Sequence, residues 1–490
     1  MIKYVISIDQ STQGTKALLF DNSGNLLDRK DLLHQQIVDK NGWVSHDPME
    51  IYNNTKSIIK DIVEKNNINN EDIAGIAISN QRETTAMWYR KTGEPLNNAI
   101  VWQCSRALKI GEREYVKKHS EEIREKTGMV LSPYFPALKI VWLLENTDAL
   151  KELGTENICY GTMDTWLVFK LTEGRSYKTD FSNASRTQLF NICDLKWDED
   201  ICNWLGINIK NLPEVVDSNA LYGYTTLDGY FSKAIPVHCV MGDSHAALFG
   251  QGCHKKGMAK STYGTGSSVM MNVGEKPFIS NTGVVTSLAW SRNGRVNYVL
   301  EGNINYTGAV ISWLKNDMGM IDSPQEAEEL ARASKKTDDL FLVPAFSGLG
   351  APHWDSNAKA SVVGMDRTTG KAEFVRAGLE SIAYQINDVV KAMEKDSNIV
   401  VEELRVDGGP TRNNYLMEFQ SDLINAVVKV PKAEELSAIG VAYMALITLG
   451  IAKEDIFENI VYKNYNPKMD VDIRKNKLNG WNNAVKSVLQ

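Results

Sequence analysis

The sequence predicts an α/β fold built as two domains. Three observations carry this. At 490 residues the chain exceeds what one hydrophobic core usually organises, so two domains of about 200–250 residues are expected. Two strand–polar turn–strand units recur about 250 residues apart. After each, apolar strand patterns alternate with helical ones, as an α/β chain requires.

The first unit is the clearest. Ile2 to Ile8 is a β-branched apolar run, Asp9 to Gly14 is polar, and Thr15 to Phe20 is apolar again. Asp21-Asn22-Ser23-Gly24 supplies turn chemistry before Asn25 to Asp28, which predicts a three-stranded antiparallel meander. The second unit runs Met258 to Tyr263, turns at Gly264-Thr265-Gly266 and continues from Ser267 to Val273. Asp47 before Pro48 marks a helix start running to about Asn66. Ile73 to Ser79 reads as a buried strand, and helices are expected from Pro136 to Glu145 and from Thr162 to Leu171. Further on, Lys371 to Lys395 is a long amphipathic helix, Leu404 to Val406 a short strand, and Ser437 to Leu449 a mostly apolar helix. No Pro- or Ser-rich linker interrupts the chain, so the junction near 246–257 is expected to be tight.

Composition excludes several classes of partner. A formal charge of -7 and a pI near 5.7 leave no basic field for nucleic acid or an anionic membrane surface. No window reaches the 18 uncharged apolar residues that spanning a bilayer needs, so no membrane insertion is expected. The N-terminal apolar run is too short for a signal segment. Six scattered cysteines without a CxxC pair argue for reduced, buried thiols rather than a disulfide framework or zinc site. Together these point to the cytoplasm as the expected compartment.

Four motifs could carry chemistry. The turn Asp9-Gln10-Ser11-Thr12-Gln13-Gly14-Thr15-Lys16 can lay N–H and O–H donors along a polyphosphate, with Asp9 on a divalent cation; an ordinary hairpin turn uses the same residue types. Tyr263-Gly264-Thr265-Gly266-Ser267-Ser268 repeats the pattern in the other half, and two such turns facing one cleft mean more than either alone. Asp407-Gly408-Gly409-Pro410-Thr411-Arg412-Asn413 allows close approach of a flat ligand such as adenosine, or is simply a tight βα loop. Asp243, at the end of Val240-Met241-Gly242, stands where a catalytic carboxylate would sit and where a helix N-cap would also sit.

The segments Asn80-Gln81-Arg82-Glu83-Thr84-Thr85, Ala99-Ile100-Val101-Trp102-Gln103-Cys104, Gly161-Thr162-Met163-Asp164-Thr165-Trp166, Ser182-Asn183-Ala184-Ser185-Arg186, Val343-Pro344-Ala345-Phe346-Ser347-Gly348 and Asp407-Gly408-Gly409 resemble, in order and over essentially the whole chain, the glycerol kinases. Tyr134-Phe135-Pro136-Ala137-Leu138-Lys139-Ile140-Val141-Trp142 is similar to a signature of the wider FGGY carbohydrate kinases. The resemblance implies two actin-like ATPase domains with ribonuclease-H-like cores, residues 1–247 and 248–490, closing on ATP, Mg²⁺ and a small polyol. It implies transfer of the γ-phosphate to a terminal hydroxyl, with Asp243 as general base and Asp9 holding the metal. Thr12, Thr15, Lys16, Thr265 and Gly266 then lie near the phosphates, and Gly308, Gly409 and Asn413 on the nucleotide. Arg82, Glu83, Trp102 and Tyr134 form the polyol pocket with Asp243. A homodimer or homotetramer is also implied.

Three positions depart from the glycerol kinase pattern. Ser244 and His245 replace a Gln-Gln pair, and Ser268 stands where a pocket phenylalanine is usual. A Phe-sized loss weakens a three-carbon ligand by about 1–3 kcal/mol unless the space is refilled. A roomier pocket suits a four- or five-carbon polyol or ketose of the erythritol, xylulose or ribulose type. His245 reads equally as a substrate donor or as a histidine hydrogen-bonded behind the pocket. An actin-like ATP-binding regulatory protein is the third reading, and a pure ATP switch has no use for Arg82 and Glu83.

Overall fold

Strands that are apolar on successive residues must be covered on both faces, and this chain builds its two main sheets that way. The computed structural model describes residues 3–335 and 340–489. The first sheet has six strands in the order Leu221–Thr225, Ile235–Gly242, Ile73–Asn80, Tyr4–Gln10, Gly14–Phe20, Leu26–Leu33. The central three are parallel and the flanking pairs antiparallel. The predicted meander is present, although its third strand extends to Leu33 because Gly14 to Phe20 offers a full-length partner edge.

The second sheet repeats this topology. Arg295–Ile304, Ser267–Gly274, Ala259–Tyr263, Glu403–Asp407, Val427–Pro431 and Tyr462–Tyr465 follow one another with the same sequence of antiparallel and parallel pairings. Val285–Arg292 adds a seventh strand beside Arg295–Ile304. A third, five-stranded sheet (containing Thr85–Tyr89 and Ala99–Ile100) is appended to the first.

Helices cover the sheets. Ile58, Ile59 and Ile62 of Pro48–Lys65 pack with Ile6, Ile8, Ile76 and Ile78. This helix begins as its sequence requires, with the Asp47 carboxylate accepting from Met49 N at 2.8 Å. Ile382, Ile386 and Val389 of Lys371–Ser397 pack with Val269, Met271 and Leu300 on the second sheet. The remaining faces share one core. Val5, Ala77 and Met241 of the first sheet and Met270 and Val299 of the second pack with the helices Asp243–Gly250 and Leu436–Thr448.

Those two helices touch backbone to backbone. A Cβ on Gly440 would stand 1.9 Å from the Ala246 carbonyl oxygen, and one on Gly250 would stand 2.3 Å from that of Leu436. The expected tight junction is therefore helical to Gly250, and a helix from late in the chain closes over the first sheet. One expectation is corrected. Five of the six free cysteines are buried, but Cys193 is exposed, because it lies in the polar loop after Phe190–Asn191.

The topology levels the ends of the parallel strands. Gln10 pairs with Asn80 and Asn80 with Gly242, so one row ends three strands. In an α/β sheet that carboxyl edge is where ligands bind.

Candidate active site

Asp9 and Asp243 occupy this edge. Asp9 is nearly enclosed and accepts from Ser79 Oγ at 3.1 Å. Burial pushes its pKa up to about 6, against the pull of Lys16 and with a push from Asp243 and Glu435. Asp243 is the first residue of its helix, with Gly242 at the N-cap position. Its Oδ1 accepts from Ser244 N at 2.6 Å, and its side chain keeps about a third of its surface open. The carboxylate is thus aimed and accessible, not consumed as a helix cap.

Arg82 and Glu83 lie where the chain leaves the first sheet for the appended one. Arg82 Nε is 3.2 Å from Asp243 Oδ1, and its terminal nitrogens bond Glu301 Oε1 and Oε2 at 2.8 and 2.9 Å. Arg186 continues the network, with Nε donating to Glu83 Oε1 at 2.6 Å and NH1 lying 2.8 Å from Glu301 Oε2. Burial alone would raise the Glu301 pKa, but Arg186 and Arg82 outweigh it and hold the carboxylate well below its ordinary range. Ser268 Oγ also donates to Glu301 Oε1, at 2.9 Å. Glu301 belongs to the second sheet, so this buried cluster joins the two lobes beside Asp243.

Aromatic rings form the adjacent wall. Trp102 and Tyr134 meet with ring centroids 5.5 Å apart. The Trp102 indole N–H donates to Thr12 Oγ1 at 2.9 Å, which ties this wall to the first polar turn. Burial, with Glu83 adding, drives the Tyr134 hydroxyl pKa far upward, so it stays a neutral donor. Ser244 is half-buried beside Asp243. His245 is fully enclosed; its Nε2 lies 3.2 Å from Ser287 Oγ, and burial beside Arg82 keeps the ring neutral.

In the first turn Thr12 is half-buried, Thr15 is fully buried with its hydroxyl unpartnered, and Lys16 reaches Glu435 at 2.8 Å. Thr265 is exposed at the tip of the second turn. That turn is packed against two neighbours. A Cβ on Gly266 would stand 2.3 Å from the Ile304 carbonyl oxygen, and one on Gly308 2.5 Å from that of Gly264. Gly408, at φ +102°, brings the third motif against Tyr263. Beyond it opens a cleft of about 610 Å³ lined by Gly308, Gly409, Arg412 and Asn413. A Cβ on Gly409 would meet nothing within 4 Å, so this residue presents bare backbone. Asn413 caps the following helix through Oδ1, leaving its buried Nδ2 unpartnered.

Two family models match nearly the whole chain: the N-terminal domain of the FGGY family of carbohydrate kinases over residues 4–250, and its C-terminal domain over 259–449. The chain belongs to the FGGY family of carbohydrate kinases. It is 46% identical to glycerol kinase 1 of Thermotoga maritima, over 99% of each chain. Among solved structures, Plasmodium falciparum glycerol kinase with ADP aligns at a TM-score of 0.93 and 36% identity, covering 100% of this chain and 99% of the other. A ligand-bound xylulose kinase of Lactobacillus acidophilus shares the fold at a TM-score of 0.89 and 22% identity, over 99% and 97% of the two chains. The two repeated sheets are thus the actin-like ATPase domains that the resemblance implies. No helix among the described residues is long and apolar enough to cross a membrane.

Sequence reasoning passed over Glu301, Arg186 and Lys139. Each had a signal. Glu301 is a lone acid in an apolar strand, Lys139 a lone base in an apolar helix, and Arg186 ends a motif otherwise made of small polar residues. A buried charge in such a setting requires a partner.

Proposed function

We propose that this FGGY kinase transfers the γ-phosphate of ATP to a terminal hydroxyl of glycerol, giving glycerol 3-phosphate and ADP. The observation that carries the reading is the open carboxylate of Asp243, oriented by Arg82 beside an aromatic wall. The full-length similarity to glycerol kinases supports the choice of substrate.

Arg82, Glu83 and the Tyr134 hydroxyl orient the polyol oxygens, and the Trp102 and Tyr134 rings cover its C–H faces. Asp243 accepts the proton of the attacking hydroxyl. Backbone and hydroxyl donors of the turns at 11–15 and 264–266, with Lys16, face the phosphates, and the cleft at Gly308, Gly409 and Asn413 takes the adenosine. Closure of the lobes excludes water, so that the bound hydroxyl and not solvent is the acceptor. A magnesium ion fits the residues present: Asp9 is a buried carboxyl with one hydrogen bond and a second carboxylate nearby. Asp9 would hold it, and the ion would supply charge neutralisation at the phosphates.

The small side chains Ser244 and Ser268 favour a second reading, a four- or five-carbon polyol or ketose as acceptor. ADP release over glycerol, dihydroxyacetone, erythritol, xylitol, ribulose and xylulose decides between the two. Signal with glycerol alone supports the first reading, and no substrate-dependent signal sinks both. An ATP-consuming enzyme with six free thiols suits the cytoplasm. Light scattering tests the implied dimer or tetramer.

A further inference from the structure

Lys139 is fully buried in the second turn of the helix Pro136–Asn146, among otherwise apolar residues. Its ammonium reaches three backbone carbonyls: that of Tyr134, that of Trp102 at 3.4 Å and that of Glu83 at 3.5 Å. Three donors meet three acceptors, and the acceptors lie on three separate segments. Those segments carry the aromatic wall and the Arg82–Glu83 corner of the pocket. The corner needs holding, because Glu83 sits at φ +60°, a left-handed conformation costly for a residue with a side chain. Thr85 Oγ1 also donates to the Glu83 carbonyl, at 3.0 Å.

We propose that Lys139 is a positioning residue for the acceptor pocket, one buried ammonium that fixes the backbone of Glu83, Trp102 and Tyr134 where the polyol binds. The inference rests on the reading of that pocket as the acceptor site. It assigns Lys139 to acceptor binding, since it touches neither the nucleotide cleft nor Asp243. Burial draws the lysine pKa down to about 7, with Glu83 pulling it back up; Cys104 and Arg106 are the other titratable or charged groups facing it. The clamp is therefore strongest below neutrality and loses its charge as the pH rises through about 7.

The test is steady-state kinetics of wild type and K139M, whose side chain has similar length and no charge. Wild type is first run against the polyol panel; if it phosphorylates none, the pocket reading fails and takes the proposal with it. With an acceptor in hand, K139M is expected to raise the acceptor KM about tenfold or more, while ATP KM and kcat stay within about threefold. An unchanged acceptor KM overturns the proposal. So does a uniform loss in all three parameters that tracks a lost folded fraction, which is what a purely structural lysine would give. If K139M does not fold, calorimetry on wild type decides. Acceptor affinity is expected to fall between about pH 6 and about pH 9, with a proton taken up on binding at the upper end. A flat profile over that range overturns the assignment.

Discussion

The Arg82 Nε lies 3.2 Å from Asp243 Oδ1 while the rest of the same guanidinium is held by Glu301 of the opposite lobe. One side chain therefore links the proposed base to the interface between the domains. Arg82 is free to orient Asp243 without neutralising itself on it, because Glu301 already carries most of its charge balance.

Asp243→Asn tests the base directly. The amide keeps the shape but cannot take a proton, so kcat is expected to fall by about 10²–10⁴. ADP affinity, measured by calorimetry, should change little. Near-normal turnover in this variant would remove Asp243 from the mechanism.

Glu301→Ala should destabilise the protein without touching substrate. It would leave Arg82 and Arg186 buried and without their shared carboxylate, a change costing about 3–5 kcal/mol. Chemical denaturation gives the number. A loss below about 1 kcal/mol would place the cluster with solvent-screened surface pairs instead.

Asp9 makes a pH-dependent prediction. Its pKa is about 6 in the folded chain and 3.8 unfolded, so the folded state binds its proton more tightly. That contribution to stability is present below about pH 4 and is lost as the pH rises through about 6. At neutral pH the buried charge costs about 2–3 kcal/mol, because each tenfold gain in proton affinity corresponds to about 1.4 kcal/mol. Asp9→Asn is thus expected to raise Tm near pH 7.5, in the absence of nucleotide, and to change it little near pH 4. Activity should fall in both conditions where it can be measured. Equal Tm gains at the two pH values would refute the burial argument.

Gly440→Ala inverts an ordinary rule. Within a helix this exchange usually stabilises by about 1 kcal/mol. Here the new Cβ would fall 1.9 Å from the Ala246 carbonyl oxygen, a backbone atom that cannot yield cheaply. A lower Tm is expected, and a neutral or stabilising result would show that the two helices separate easily.

Local chemistry was enough to read much of this protein from its residues. Asp47 and Pro48 start a helix because their own atoms cap and preset it, and Tyr4–Gln10 makes a strand because its β-branched Val5, Ile6 and Ile8 fit a buried sheet. The two glycine- and hydroxyl-rich turns could be placed by composition for the same reason. The family resemblance was legible because it spans the whole chain. What only the tertiary structure decided were relations between distant residues. That Glu301 meets Arg82 and Arg186, that Lys139 gathers three carbonyls, and that a helix from residues 436–448 closes the first sheet depend on where separate segments arrive. A buried charge announces that it needs a partner. Which partner it finds is set by the packing of two lobes, and no single stretch of sequence contains that information.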